Sequence, residues 1–250
     1  IIRIDGHKFS KFTKKFNKPF DMLLSVAMEK TTMDLLTKFG AVTGFVQSDE
    51  ITLVFPPIFK EEKNEIINNQ IFGGRTQKLT SLSASYASIR FNCWLNYEFT
   101  SSNVENTIKY NEMIKDKIGR AWFDSRVFGV PTKEDVFNVV CWRYRDTIKN
   151  SKSMFAQAYC SHKSLLNKNG KEQIEYCLET SGKDWNESED RFKYGIFVKK
   201  EKFLKPIEIN GIRQSNEMVE RSRVTSFCKN SFEFSKENVD MLVEKFIMVT

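Results

Sequence analysis

Residues 41–55 read Ala-Val-Thr-Gly-Phe-Val-Gln-Ser-Asp-Glu-Ile-Thr-Leu-Val-Phe. Two apolar runs flank a short acidic turn, so this stretch predicts a β-hairpin that holds Asp49 and Glu50 at its turn. The chain opens on a similar pattern, because Ile1-Ile2-Arg3-Ile4 leads directly to Asp5. We therefore expect all three carboxylates at strand ends, where a rigid sheet holds charge at a fixed place.

Residues 21–39, which lie between these two stretches, predict an α-helix. Apolar residues recur at three- and four-residue steps, Asp21 is a suitable N-cap and Gly40 a suitable C-cap. The predicted order is strand, helix, strand, tight turn, strand, and a right-handed crossover makes the first two strands parallel. If the third strand lies beside the first, Asp5 and the turn with Asp49 and Glu50 meet at one edge of the sheet.

Carboxylates held this close repel one another unless cations lie among them. Oxygen ligands in a basic chain suit Mg²⁺ bound jointly by protein and phosphate, and two such ions support nucleotidyl or phosphoryl transfer. The alternative is that these acids are solvated turn residues. Spacing alone does not decide between the two interpretations.

Four stretches within residues 1–90 carry a resemblance to a known family, and they occur in the expected order: RIDGHKFSKF from Arg3, FNKPFD from Phe16, QSDEITLVF from Gln47 and GGRTQKLTSLSASYAS from Gly73. A weaker match is WFDSRV from Trp122. Together they resemble the tRNA(His) guanylyltransferase superfamily. The resemblance implies an α+β fold with a polymerase-like palm, which is a ferredoxin-like antiparallel sheet with helices on one face, followed by a mainly helical C-terminal part.

The same resemblance implies how the chain is divided. Residues 1–130 would form the palm-type catalytic core, and residues 131–250 a region of helices and strands that completes the same domain. That second region would contact tRNA or other subunits, because the family forms homotetramers. Three further helices are expected outside the motifs, over residues 58–70, 104–117 and 235–248.

The activity that the resemblance implies is nucleotidyl transfer to the 5′ end of tRNA in the 3′-to-5′ direction, with two Mg²⁺ ions and with ATP, GTP or other nucleoside triphosphates as substrates. Asp5, the carbonyl of Gly6 and Asp49 would bind the metal ions, with Glu50 as a weaker third carboxylate. Lys18 stands at the family position that activates the 5′ phosphate. The residues matched to nucleotide binding are His7, Lys8, Phe9, Ser10, Asp21, Ser48, Arg75 and Lys78.

One departure from the family pattern bears on specificity. The enzymes that guanylate tRNA(His) carry a His-Ile-Asn-Asn sequence where this chain has Ile148-Lys149-Asn150-Ser151. The resemblance is therefore strongest to the guanylyltransferase-like branch, which is similar to template-dependent enzymes that repair 5′-truncated tRNAs. The residues that this interpretation assigns to RNA binding are Arg143, Arg145, Lys149, Asn150 and Lys152.

Three other functions stay open at this point. One is addition of a single G specific to tRNA(His). Another is a palm-type cyclase, which the turn Gln47-Ser48-Asp49-Glu50 disfavours because it lacks a GG[DE][DE][FY] sequence. The third is a non-catalytic module that only binds tRNA.

Composition limits the partners and the cellular location that the protein can have. A net charge of +7 and a pI near 9.0 suit a polyanionic partner, although general basicity would give the same values. The 5 cysteines form no CxxC pair, which is typical of reduced thiols inside a cell. No apolar run reaches the roughly 20 residues of a membrane span. We expect no membrane association and an intracellular location, cytoplasmic or mitochondrial.

Overall fold

The structure is a computed structural model that describes residues 1–60, 65–66, 68–101, 108–209 and 212–248. Its strands are β1 (Ile2–Gly6), β2 (Thr43–Gln47), β3 (Glu50–Val54), β4 (Phe59–Lys60), β5 (Glu65–Ile66), β6 (Phe123–Val127), β7 (Ile196–Ile209), β8 (Ile212–Phe227) and β9 (Phe246–Met248). Its α-helices are α1 (Phe9–Phe12), α2 (Met22–Phe39), α3 (Thr76–Ser101), α4 (Ile108–Ile114), α5 (Lys133–Tyr159), α6 (His162–Leu165), α7 (Gly170–Ser181), α8 (Asp190–Tyr194) and α9 (Lys236–Val243).

Within the described residues, seven strands form one sheet in the order β6-β1-β3-β2-β7-β8, with β9 added parallel to β7. The other pairs in this sheet are antiparallel. The third strand therefore lies beside the first, which is the condition under which Asp5 and the acidic turn are expected to meet. Taken with α2 and α3, strands β1, β2, β3 and β6 have the split strand-helix-strand arrangement of ferredoxin-like folds.

Both end signals of α2 are used as the sequence predicts. The backbone N–H of Leu24 donates to the Asp21 carboxylate at 3.3 Å, so Asp21 caps the N-terminus. At the other end Gly40 has a φ of 70°, and its N–H donates to the carbonyl of Leu36. The helix is thus fixed in length, and β2 starts close behind it.

Helices cover both faces of the sheet: those of residues 1–130 lie on one face, as expected, and helices of the C-terminal region lie on the other. On one face, α2 and α3 pack on alternate residues of the strands, such as Ile4, Ile51 and Val46. On the other face, α5 and α9 pack on Phe45 and Phe197. Strands alternate their side chains between faces, and β2 and β7 carry apolar residues on both, so they are covered twice.

The C-terminal region contributes more strand than expected. β7 pairs directly with β2, and β7 and β8 form a hairpin that runs far beyond that pairing. The terminal helix was predicted over residues 235–248, but α9 ends at Val243 and β9 follows it. Among the described residues, no helix has the length and apolarity that crossing a bilayer requires.

Two other predicted helices differ from the structure. Where a helix was expected over residues 58–70, β4 and β5 pair with each other, while residues 61–64 and 67 lie outside the described residues. The helix expected over residues 104–117 is α4 followed by a short 3-10 turn, and residues 102–107 lie outside the described residues.

Candidate active site

The sheet brings Asp5 and the acidic turn together. Asp5 at the end of β1 pairs with Glu50 in β3, and the N–H of Gly6 donates to the carbonyl of Asp49 at 3.1 Å. On its other side, Asp5 pairs with Asp124 in β6. Three strands and the turn therefore bring four carboxylates to one end of the sheet, as expected for a third strand that lies beside the first.

Asp49 is the most perturbed of these acids. Burial, followed by the charge of Asp5, raises the pKa of Asp49 to about 6, while a hydrogen bond from Ser48 acts in the opposite direction. The turn holds this geometry through Ser48, whose φ of 46° is left-handed. Buried carboxylates beside a second negative charge are common at functional sites. A bound cation would offset the free-energy cost of keeping Asp49 ionised there.

Glu50 has a different partner from the one expected. The Nε of Arg143 donates to one carboxylate oxygen of Glu50 at 2.6 Å, and an NH2 nitrogen donates to the other at 2.9 Å. Arg143 also contacts Asp146 at 3.2 Å. Both groups of the Arg143–Glu50 pair are mostly buried, so Glu50 connects the acidic turn to α5. Its predicted role as a weaker third ligand stays a prediction, and a cation there would have to share Glu50 with Arg143.

The same contacts place Arg143 in the wall of the pocket. Its guanidinium pairs with two carboxylates and is only 14% exposed, and its predicted contact with RNA stays a prediction. A second contact fixes α5 on the turn, because the Thr147 hydroxyl donates to the side-chain carbonyl of Gln47 at 2.6 Å.

An open pocket of about 450 Å³ lies between the carboxylate end of the sheet and α5. Asp5 and Asp49 line one side. One face of α5 lines the other, with polar residues and Met154 recurring at helical spacing. The lining residues are Asp5, Gln47, Ser48, Asp49, Glu50, Arg143, Asn150, Ser153, Met154 and Gln157.

Gly6 is required by packing next to this pocket. A Cβ at this position would lie 2.3 Å from a ring atom of Phe9 and 3.0 Å from the Cβ of Asp49. The Phe9 ring is 7% exposed and packs against Phe91 and Phe123. Its side chain is therefore a core group, and only its backbone and its 7% of exposed surface are left for the predicted contact with a nucleotide.

The neighbours of Phe9 remain accessible. Lys8 and Ser10 are exposed, and Lys8 has a left-handed φ of 51° just before α1. The ring of His7 packs against that of Trp122 with the centroids 4.3 Å apart and the planes tilted by 49°. These three residues follow directly after Asp5 and Gly6, so their predicted contact with a nucleotide is compatible with their position.

Asp21 and Lys18 lie apart from the pocket lining. The carboxylate of Asp21 is buried, and it accepts hydrogen bonds from the N–H groups of Asn17 and Leu24 and from the hydroxyl of Tyr110. Besides the helix cap that the sequence predicted, Asp21 thus holds Asn17 and Tyr110, which the sequence did not reveal. Lys18 is exposed.

Arg75 and Lys78 lie at the opposite end of the sheet from the carboxylates. Along α3, Ser83 bonds Ser125 at 2.8 Å and Ser88 accepts from the N–H of Phe123 at 3.0 Å, and Phe123 is paired with Gly6. The helix therefore runs toward the carboxylate end. Its N-terminus, where Arg75 and Lys78 are exposed, is roughly 20 Å behind Ser88 at 1.5 Å per residue.

The other residues assigned to RNA binding are spread over α5. Arg145 and Lys149 are exposed, and Arg145 lies 3.7 Å from Glu233. Asn150 lines the pocket and donates to Asp146 at 3.1 Å. Lys152 lies over the ring of Trp185 at 5.0 Å. Only Asn150 of these four is at the carboxylate end.

Two arginines to which the sequence assigned no role lie beside the carboxylates. Arg3 and Arg126 are directly opposite each other on β1 and β6, two pairs before Asp5 and Asp124. Within the described residues neither guanidinium has an ion pair or hydrogen bond. Like charges directly opposite each other destabilise a sheet, so an anion between them would be favourable. The alternation of exposed and buried residues along β6 was the signal that could have found Arg126.

The side chains at the carboxylate end of the sheet match the needs of a divalent cation only in part. Among the described residues, no group of three or more His, Cys, Asp or Glu side chains is arranged to hold a metal ion. Asp5 and Asp49 nevertheless supply hard oxygen ligands, and the raised pKa of Asp49 reports an electrostatic cost that a cation would remove. Asp5 and Asp49 are thus the pair that would hold such an ion, with Glu50 shared with Arg143.

An antiparallel sheet with paired carboxylates at one end, an open pocket beside them and unpaired arginines fits the class of nucleotidyltransferases. Comparison with known proteins gives the family. The model described as tRNAHis guanylyltransferase matches residues 1–131. This chain therefore belongs to the tRNAHis guanylyltransferase family, whose members are nucleotidyltransferases.

Two relatives show how far the similarity extends. The uncharacterized protein R259 of Acanthamoeba polyphaga mimivirus is 36% identical over 204 residues, which cover 80% of this chain and 69% of that protein. The tRNA(His) guanylyltransferase of Saccharomyces cerevisiae is 26% identical over 235 residues, which cover 88% of this chain and 89% of that protein.

Solved structures agree with this assignment. A bacterial tRNA(His) guanylyltransferase-like protein in complex with ATP has a TM-score of 0.64 and 31% identity, covering 79% of this chain and 77% of that one. Such a protein in complex with GTP has a TM-score of 0.59 and 27% identity, covering 90% and 80%. The family and the mixed fold of helices and antiparallel sheet are thereby established.

Proposed function

We propose that this protein adds nucleotides to the 5′ end of tRNA in the 3′-to-5′ direction, copying the opposite acceptor strand. The observation that carries the proposal is the meeting of Asp5 and Asp49 beside an open pocket of about 450 Å³. Such a pocket is within the size range of small-ligand sites, and the related bacterial structures contain ATP or GTP. The nucleotide is proposed to lie in this pocket.

Asp5, Asp49 and the carbonyl of Gly6 are proposed to hold two Mg²⁺ ions. When bound, such ions lower the pKa of an attacking hydroxyl and neutralise the charge of a triphosphate. The protein's own contribution is to hold the two carboxylates rigidly at strand ends. The pair Arg143–Glu50 fixes α5 over the turn, so the pocket keeps its shape.

Phosphate charge is proposed to be met at two places. Arg3 and Arg126 are unpaired and stand next to Asp5 and Asp124, so they suit the phosphates of a substrate held at the carboxylates. Lys18 is proposed to contact the activated 5′ phosphate. Arg75 and Lys78, at the far end of the sheet, could reach a triphosphate at these carboxylates only on another copy of the chain, which suits the proposed homotetramer.

The palm-type core is proposed to be residues 1–130, with residues 131–250 contacting tRNA or other subunits. Template-dependent repair is favoured over addition of one G to tRNA(His) because the chain lacks the His and one Asn of the His-Ile-Asn-Asn sequence at residues 148–151. With a template strand choosing the base, the protein needs only to bind backbone and shape.

The experiment is a nucleotide-addition assay with 5′-monophosphorylated and 5′-triphosphorylated tRNAs that lack their first nucleotide. Each nucleoside triphosphate is supplied separately, with and without Mg²⁺. We expect Mg²⁺-dependent addition of the nucleotide complementary to the template base, and loss of activity in Asp49→Asn with its fold preserved. Addition of G to tRNA(His) alone, whatever the opposing base, would contradict templating. Tight tRNA binding with no product would favour a non-catalytic module.

A further inference from the structure

Trp122 is an exposed aromatic residue immediately beside the carboxylates. Its side chain is 59% exposed, although a large aromatic ring is usually one of the more buried side chains of a protein. It directly precedes Phe123, which pairs with Gly6, and Asp124, which pairs with Asp5. The indole ring therefore lies at the same end of the sheet as Asp5, where the reaction is proposed to take place.

The position of Trp122 is fixed by the residue that follows Gly6. The N–H of His7 donates to the carbonyl of Trp122 at 2.9 Å, and the two ring centroids lie 4.3 Å apart with the rings tilted by 49°. His7 therefore supports the indole from one side. An indole held in this way loses little further conformational freedom when another flat group packs on it.

The positive charges around the rings of His7 and Trp122 favour binding of a polyanion. Lys8 and Arg120, their neighbours in sequence, are both exposed. Arg3 and Arg126 are unpaired in the adjacent strands. An aromatic surface with cations around it is the combination that binds single nucleotides of an RNA strand, through base stacking and backbone contacts.

We propose that Trp122, supported by His7, is a platform on which the nucleobase of the RNA's 5′-terminal nucleotide stacks. This inference rests on the proposed function, because it places the terminal phosphate at Asp5 and Asp49. Every base has a flat aromatic face, so the platform would hold the RNA end without selecting a sequence. Trp122 is then a positioning residue, and no atom of it takes part in the reaction.

The test uses the full chain and an RNA hairpin with a 5′-monophosphorylated 2-aminopurine as its first nucleotide, mixed in EDTA without nucleotide. Stacking of this fluorescent base changes its emission. We expect a change with the wild type and with Trp122→Phe, which keeps a ring. In Trp122→Ala we expect the change to disappear and RNA affinity to fall about 5- to 100-fold. Unchanged emission and affinity in Trp122→Ala would overturn the proposal.

Two controls separate base stacking on Trp122 from the loss of any exposed aromatic residue and from RNA binding elsewhere on the protein. Phe234→Ala removes another exposed aromatic residue, 64% exposed, which packs on Phe137 away from the carboxylates, and we expect it to behave as the wild type. The same RNA with 2-aminopurine in the middle of the strand should give no signal that depends on Trp122. A change of molecular mass of Trp122→Ala in light scattering would assign the ring to a contact between copies and overturn the platform.

The outcomes distinguish this inference from the proposed function. If the wild type adds nucleotides while Trp122→Ala gives the wild-type signal, only the platform is overturned. If the signal depends on Trp122 but no nucleotide is added under any condition, only the proposed function is overturned. If the wild type does not bind the RNA, both are overturned.

Discussion

Arg143 and Glu50 form a two-point ion pair across 93 residues of sequence, with Nε–O and NH2–O distances of 2.6 and 2.9 Å. This pair connects α5 to the turn that carries Asp49. The parallel geometry of a guanidinium and a carboxylate fixes both the distance and the orientation of the helix. The depth of the pocket between α5 and the sheet therefore depends on this pair, together with the hydrogen bond from Thr147 to Gln47.

A double-mutant cycle tests the energetic role of that pair. In Arg143→Met the mostly buried carboxylate of Glu50 loses its main partner, and we expect a loss of about 3 kcal/mol of unfolding free energy. Glu50→Gln combined with Arg143→Met should cost clearly less than the sum of the two single changes, because no uncompensated charge remains. Urea denaturation of the four proteins measures the coupling, and strictly additive values would contradict it.

Glu50→Gln also tests whether Glu50 is a metal ligand. If Glu50 serves α5 and not a cation, this variant should keep far more nucleotide-addition activity than Asp49→Asn, which removes the most perturbed carboxylate of the site. Initial rates over a range of Mg²⁺ concentrations give the comparison. If both variants are folded by circular dichroism and lose activity equally, Glu50 would be a metal ligand as well.

Arg3 and Arg126 provide a test of phosphate binding. Each change to Ala should weaken RNA binding and reduce the salt dependence of affinity, by about one in the slope of log affinity against log salt concentration. Stability should stay the same or rise, since two like charges that face each other are relieved. Lys183→Ala, an exposed cation in the loop after α7, is the matched control and should change neither the slope nor stability.

The convergence of Asp5 and Asp49 could be predicted because it depends on local signals. The apolar runs, the caps at Asp21 and Gly40 and the two-residue turn fix the order of elements along the chain. The two ends then meet as soon as the third strand lies beside the first. The ion pair between Arg143 and Glu50 could not be predicted in this way. Its partners lie in separate motifs, and a pattern within α5 does not reveal which strand end the helix crosses.

The placement of Arg75 and Lys78 is a different case. Their predicted nearness to the carboxylates came from the resemblance, while strand direction pointed elsewhere. β3 leads away from the acidic turn, so the next helix had to start at the far end of the sheet. Roles for Trp122, Arg3 and Arg126 could not be assigned from the sequence, because the function of an exposed aromatic or cationic residue on a strand depends on its neighbours in the sheet.

Gly6→Ala tests whether packing dictates this glycine. The added methyl group would overlap the ring of Phe9, which is held by Phe91 and Phe123, so we expect a loss of about 1–3 kcal/mol of unfolding free energy. Combining it with Phe9→Leu, which reduces the ring to a smaller side chain, should lower the additional cost of the methyl group. Thermal denaturation checks both, and an unchanged melting temperature for Gly6→Ala would contradict the overlap.

Lys199 gives a prediction about pH, because a lysine in β7 with no exposed surface lies far from the pocket. Its Nζ donates to Thr43 Oγ1 at 2.9 Å and to the carbonyls of Met241 at 2.6 Å and Glu244 at 2.5 Å, so it joins the end of α9 to the sheet. Burial lowers the pKa of Lys199 to about 8 from 10.5. Lys199→Met should destabilise the protein at pH 7, since three acceptors lose their donor.

The dependence on pH follows from that lowered pKa. Between pH 8 and 10.5 the unfolded chain keeps the proton of Lys199 while the folded chain releases it, so the stability of the wild type rises relative to Lys199→Met. The difference in unfolding free energy should grow by up to about 1.4 kcal/mol per pH unit in this window and be constant below pH 7. Taking the difference between the two proteins cancels every other titrating group. Urea denaturation at pH 7, 8, 9 and 10 measures it, and a difference that stays constant throughout would show that Lys199 titrates alike in the folded and unfolded chain.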